Sequence, residues 1–141
     1  INGKNFINTM LNLGLTHDRL TVVSDQIGTP TYTYDLSRLL VDMAESDKYG
    51  IYHATNEGGY ISWYDFTVEI MKQAAKYNDK YSKVEVLPVG SDMYPAKAKR
   101  PSNSRMDKSK LKDEGFEPLP DWKDALSRYL QQKMEIENGT N

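Results

Sequence analysis

From Asn5 onward the apolar residues Phe6, Met10 and Leu13 recur at helical spacing, and Gly14 stands where a C-terminal cap would sit. Leu20 to Val23 then reads as a short strand. The polar run from Ser24 to Thr31 reads as a loop, because Gly28 and Pro30 both interrupt regular structure. The clearest amphipathic pattern follows. Leu36, Leu39, Leu40 and Met43 fall at i, i+3, i+4 and i+7, with Asp35 in the first turn, where the helix dipole favours a carboxylate. Lys48-Tyr49-Gly50 ends that helix, and Ile51 to Thr55 reads as a compact strand bounded by Asn56-Glu57-Gly58-Gly59. Ser62 with Asp65 three residues on predicts a capped helix start, and Trp63, Phe66, Ile70 and Ala74 its buried stripe.

The second half is less regular. Val84 to Val89 reads as a strand that Pro88 pushes towards an edge position. An irregular stretch from Gly90 to Arg105 contains Pro95, Pro101 and the basic cluster Lys97, Lys99 and Arg100; loops of that length are usually functional or disordered. Asp107 is placed to cap a short helix through Leu111 that stops at Gly115. Asp121 is placed to cap the last helix, with Trp122, Leu126 and Leu130 on its buried face. Helices alternating with short strands predict an α/β fold in which helices pack on a few short strands. Residues 1–134 read as one domain and residues 135–141 as a frayed tail.

Composition narrows the classes of function. The 141 residues suffice for one domain, and 38% hydrophobic content is enough for a moderate core. With 18 basic and 20 acidic residues, the net charge of -2 supplies no broad basic field for a phosphate backbone, so no nucleic-acid partner is expected. No run approaches the roughly 18–20 apolar residues of a membrane helix, and no signal-peptide core is present, so the expected location is cytoplasmic. The opening Ile1-Asn2-Gly3-Lys4 has neither an initiator methionine nor a strand pattern and reads as a cut inside a larger protein. The absence of cysteine excludes disulfides and thiolate metal sites. The two distant histidines, His17 and His53, argue against zinc. Asn138-Gly139-Thr140 fits a glycosylation sequon by chance.

No Ser/His/Asp set, paired carboxylates or metal-ligand cluster falls at a recognisable spacing, and no GxGxxG is available to seat a dinucleotide pyrophosphate. Tyr129 and Lys133 match a YxxxK spacing but sit in the last helix, where the match reads as coincidence. The domain is therefore expected to bind more than to catalyse. Asn5 could hydrogen-bond a ligand or simply cap its helix. The loop from Asp25 to Thr31 could fold over a substrate or serve only as a turn. Arg100 has the planar fork suited to a diphosphate, though a loop charge is as readily solvated.

Six stretches, in this order, resemble the dTDP-4-dehydrorhamnose reductases. They are Asn5 to Leu11, Asp25 to Tyr32, Lys48 to His53, Asn56-Glu57-Gly58 with Ser62 to Phe66, Ala98 to Pro101 with Ser104 and Asp107, and Leu119 to Lys123. That family belongs to the extended short-chain dehydrogenases. The resemblance implies the C-terminal, sugar-nucleotide-binding portion of such an enzyme, lacking the N-terminal Rossmann half. It further implies reduction of dTDP-4-dehydro-L-rhamnose to dTDP-L-rhamnose, for cell-surface polysaccharide, by NADPH or NADH. Magnesium is left open. By similarity Asn5 and Phe6 would line the sugar-nucleotide pocket, Gln26, Pro30 and Thr31 would border the sugar and nucleotide, and Arg100 would face the diphosphate. The catalytic residues of the family would lie upstream of Ile1, so the chain alone is expected to be inactive. Its partners would be the dTDP-sugar and, on the surface that the Rossmann half would cover, either that half as a separate piece or a second copy in a homodimer. A noncatalytic regulatory homologue resembling the methionine adenosyltransferase β subunit, or a nucleotide-sugar epimerase, are the alternatives; the uninterrupted Gly28-Thr29-Pro30-Thr31 turn and Asp121-Trp122 favour the reductase.

Overall fold

In a computed structural model, which describes residues 3–94, 100–137 and 139, the first apolar pattern becomes helix α1, Phe6–Thr16. Asn5 caps it in extended conformation, its Oδ1 accepting the Asn8 N–H at 2.8 Å. Gly14 does not end the helix, which runs two residues further. A Cβ there would lie 3.1 Å from Met71 Sδ and 3.1 Å from Tyr81 Cδ1, so the glycine permits close approach of α1 to its neighbours rather than termination.

Strand β1, Arg19–Val23, buries Leu20 and Val22 and points its alternate residues outward. Helix α2 is Thr33–Ala44 and helix α3 is Trp63–Ala74. Between β1 and α2 lies the short strand β2, Ile27–Gly28, which pairs antiparallel with β3, Ile61–Ser62, immediately before α3. The run expected as pure loop thus contains a strand. Strand β4, Glu85–Val89, pairs in parallel with β1, setting Leu20 opposite Val86 and Val22 opposite Pro88. Parallel partners cannot be joined by a tight turn, and here the whole intervening stretch with α2 and α3 forms the crossover. Helix α4, Ser109–Asp113, and helix α5, Trp122–Glu137, complete the chain. Asp121 caps the start of α5 by accepting the Lys123 amide at 2.7 Å, whereas the cap position of α4 is Lys108, which makes no side-chain cap bond, and Asp107 one residue earlier accepts the Ser109 amide at 2.9 Å.

The main core joins α1, β1, α3 and α5, with Leu11, Ile70 and Leu130 among its fully buried side chains. A satellite core holds Leu39 of α2 against Leu111, Phe116 and Leu119. Two expected stripes need correction. Leu40 is 55% exposed and Trp63 is 43% exposed, so each lies on the flank of its helix and not in a core. The strand expected at Ile51 to Thr55 is also absent: among the described residues that segment makes no ladder, and Ile51 is 85% exposed. A strand needs a partner for its N–H and C=O groups, and only the following residue pair, Glu57 and Asp121, forms a bridge. No helix among the described residues is long and apolar enough to cross a membrane.

The α3 start is the best-built local feature. Ser62 Oγ accepts the Asp65 N–H at 3.0 Å, while the Asp65 carboxylate accepts the Ser62 amide at 2.9 Å and its hydroxyl at 2.6 Å. This reciprocal box satisfies two orphan donors and places Trp63 and Phe66 firmly on the first turn.

Candidate functional site

That first turn forms one wall of a cleft of ≈ 290 Å³. The opposite wall is the stretch from Gln26 to Pro30, and the third side comes from Arg100, Pro101 and Ser104. β2 is held from both sides. Beyond its pairing with β3, the Ile27 N–H donates to Ser102 O at 2.9 Å, and Ile27 O accepts the Ser104 amide at 2.8 Å and hydroxyl at 3.0 Å. A Cβ on Gly28 would sit 2.8 Å from Ser104 Oγ, so a side chain there would have to displace the Ser104 hydroxyl from Ile27 O. The Thr29 hydroxyl donates to Gly59 O at 3.1 Å and ties the next residue of the wall to the segment before α3. Just outside, the Asp25 carboxylate accepts the Ser91 amide and hydroxyl, and these bonds hold its pKa below the usual carboxylate value.

The floor is aromatic. Phe66 is buried; Phe6 stacks on it at 5.7 Å between ring centroids and meets Trp63 at 4.6 Å, while Trp122 approaches Phe66 edge-on at 5.8 Å. The hydroxyls of the lining, on Thr29, Ser62 and Ser104, are committed within the protein, and two larger polar groups are left over. Among the described residues, neither the Gln26 amide nor the Arg100 guanidinium has a hydrogen-bond or ion-pair partner. A flat apolar wall, a free amide and a free planar cation suit a ligand with a planar ring and an anionic group.

Of the residues expected from the sequence, Gln26, Pro30 and Arg100 come together in the lining. Phe6 lies one layer behind, against Trp63 and Phe66. Thr31 is exposed and outside the lining. Asn5 is occupied elsewhere: its Oδ1 caps α1 and its Nδ2 donates to the Tyr129 hydroxyl at 2.9 Å. Tyr129 in turn donates to Asn8 Oδ1 at 3.0 Å, so the tyrosine of the YxxxK spacing clamps α5 to the start of α1. Lys97 and Lys99 of the basic cluster, with Pro95, lie outside the described residues. Sequence reasoning missed Trp63, Phe66, Gly28 and Ser104. Helical spacing marks the two aromatics as core, and the other two belong to a bridge between segments far apart in the chain.

The described residues do not fit a dinucleotide. The glycine pair before α3 is already committed: Gly58, at φ +99°, packs against Asp121 and Trp122, and the α3 N-terminus is filled by the chain's own Asp65 carboxylate. Nor do three or more His, Cys, Asp or Glu residues gather as a metal-binding group among the described residues.

Over residues 1–135 the chain matches the family described as the RmlD substrate binding domain. It is 41% identical over 131 residues to the dTDP-4-dehydrorhamnose reductase of Aggregatibacter actinomycetemcomitans, a match covering 88% of this chain and 44% of the relative. It is 38% identical to the spore coat polysaccharide biosynthesis protein SpsK of Bacillus subtilis (strain 168), over 93% of this chain and 43% of that protein. Among solved structures, the dTDP-4-dehydrorhamnose reductase of Clostridium acetobutylicum superimposes with a TM-score of 0.86 at 38% identity, covering 94% of this chain and 45% of the other. The reductase of Bacillus anthracis str. Ames, in complex with NADP, gives a TM-score of 0.80 at 35% identity, with 92% and 43% covered. The chain therefore spans less than half the length of these relatives. With a match that runs from residue 1 to residue 135 and an α/β fold shared with these enzymes, the chain belongs to the RmlD substrate binding domain family.

Proposed function

We propose that this chain is the sugar-nucleotide-binding, C-terminal portion of a reductase that converts dTDP-4-dehydro-L-rhamnose to dTDP-L-rhamnose in cytoplasmic polysaccharide precursor synthesis. The observation that carries this reading is the cleft. Its aromatic floor suits the planar and apolar parts of a nucleotide sugar, Arg100 supplies a bidentate cation for the diphosphate, and Gln26 supplies both donors and acceptors. The relatives' names supply the substrate class, and the relative in complex with NADP supports NADPH or NADH as the hydride source. The described residues do not fit that cofactor, so the rest of the longer protein would hold it. This chain's task is to bind the nucleotide sugar, orient it and exclude water from the side of the sugar it covers.

Calorimetric titration with dTDP, and with UDP as control, tests the reading. dTDP is expected to bind in preference to UDP. Arg100→Met is expected to weaken dTDP by roughly 10- to 150-fold, the worth of about 1.5–3 kcal/mol for hydrogen bonds to a charged group. Failure of the full chain to bind dTDP, or equal affinity of wild type and Arg100→Met, would sink it.

A further inference from the structure

The two tryptophans of the chain are used differently. Trp122 is buried, and its indole N–H donates to Gly58 O at 3.2 Å. Trp63 is 43% exposed at the cleft, and among the described residues its indole N–H has no partner. A half-exposed tryptophan at the first position of a helix adds little to the core. Yet this one is held in place: Ser62 and Asp65 fix the turn that carries it, and Phe6 packs against its ring at 4.6 Å. A large flat ring, braced on one part of its surface and open on the rest, loses little entropy when a second flat ring lands on it. Tyr60 nearby is spoken for, since its hydroxyl donates to Met106 O at 3.1 Å and Arg105 covers its ring at 5.4 Å. Trp63 is therefore the open aromatic surface of the cleft.

Resting on the nucleotide-sugar reading above, we propose that Trp63 is the stacking platform for the nucleobase, with the sugar and diphosphate extending from it across the remainder of the cleft. Because every base has a π-face, the indole supplies affinity for a nucleoside without choosing between bases. Choice between bases whose hydrogen-bonding edges differ falls to groups with directional hydrogen bonds, and the Gln26 amide is one such group left free in the lining among the described residues.

The experiment is a dTDP titration of the full chain, wild type against Trp63→Phe and Trp63→Ala, followed by calorimetry and by tryptophan fluorescence. Trp63→Ala is expected to weaken dTDP by about 5- to 150-fold, the range for losing one base-aromatic stack, and Trp63→Phe by less. Wild type is expected to lose fluorescence with the calorimetric midpoint, and Trp63→Phe to show no such quench, since Trp122 remains buried. If Trp63→Ala does not fold, the comparison of quenching in wild type and Trp63→Phe still decides. A quench that persists in Trp63→Phe, or dTDP affinity within twofold of wild type in Trp63→Ala, overturns the proposal. So does a variant that loses affinity for dTDP-glucose but not for dTDP, because the indole would then face the sugar. In each of these cases wild type still binds dTDP and the nucleotide-sugar reading stands; if wild type binds no dTDP, both fall.

Discussion

Arg128→Met is expected to destabilise the protein by about 3–5 kcal/mol, the cost of leaving a buried charge without its partner. The charge is Asp35, 3% exposed, in the first turn of α2. Both of its oxygens accept from Arg128 at 2.8 Å, and Oδ2 also accepts from Asn56 Nδ2 at 2.8 Å. Asn56, fully buried, passes the connection on: its Oδ1 accepts the Tyr32 amide at 2.7 Å and its Nδ2 donates to Pro120 O at 3.0 Å. One arginine on α5 thereby joins α2 and its satellite core to the main core. Replacing both partners with apolar residues, Asp35→Leu with Arg128→Met, is expected to cost less than Arg128→Met alone, and urea unfolding of the two singles and the double would show this as a large coupling energy.

The same pair has a pH signature. Burial pushes the Asp35 carboxyl up, but hydrogen bonds from Arg128 and Asn56 and the Arg128 charge outweigh it and leave the pKa below the usual value. A carboxyl depressed in the folded state stabilises fully above its unfolded pKa of about 3.9, and that stability is lost as pH falls through the folded value. The gap between wild type and Arg128→Met should therefore be widest at neutral pH and narrow below about pH 4. A gap that stays constant down to pH 3 would contradict a charged Asp35.

Gly58→Ala is expected to cost about 2–4 kcal/mol, as backbone strain and steric clash together. Gly58 has φ +99°, a region that side chains disfavour, and a Cβ there would overlap the Asp121 carboxylate and come within 2.8 Å of Trp122 Cδ1. The approach is tight because three bonds clasp the two segments. Glu57 N–H donates to Pro120 O at 3.0 Å, Trp122 N–H to Glu57 O at 2.9 Å, and the Trp122 indole to Gly58 O at 3.2 Å. Gly59 provides the control. Its φ is +89°, but nothing lies within 4 Å of its Cβ position, so Gly59→Ala carries the strain of about 1–2 kcal/mol without the clash. Equal losses in thermal unfolding of the two variants would show that the clasp relaxes.

Features set within a few residues were legible in the sequence. The caps at Asn5, Ser62 and Asp121, and the segments of β1 and β4, all follow from short-range spacing and composition. Partnerships were not. β2 and β3 have two residues each, too few to carry a period of two, and Ile51 to Thr55 has strand composition without a strand beside it. Gly14 looked like a helix end because a cap and a close packing contact ask for the same residue, and Met71 and Tyr81, which decide between them, are far along the chain. Asp35 and Arg128 are 93 residues apart, and spacing says nothing of such a pair. At the cleft, Gln26, Pro30 and Arg100 were nominated through the motifs they belong to and lie in the lining, whereas Trp63 sits at helical spacing with Phe66 and reads as core until the fold shows which flank of α3 it occupies.

The cleft has walls from three stretches, around residues 26–30, 61–66 and 100–104, sewn together at Ile27. None of these stretches can form it alone, so an unfolded chain has no affinity for whatever the cleft holds. Occupancy is then coupled to folding itself: a ligand at about 100 times its dissociation constant adds roughly 2.7 kcal/mol to the stability of the folded form. The melting temperature thus becomes a gauge of saturation, and candidate nucleotide sugars can be ranked by how far each raises it, with no turnover required.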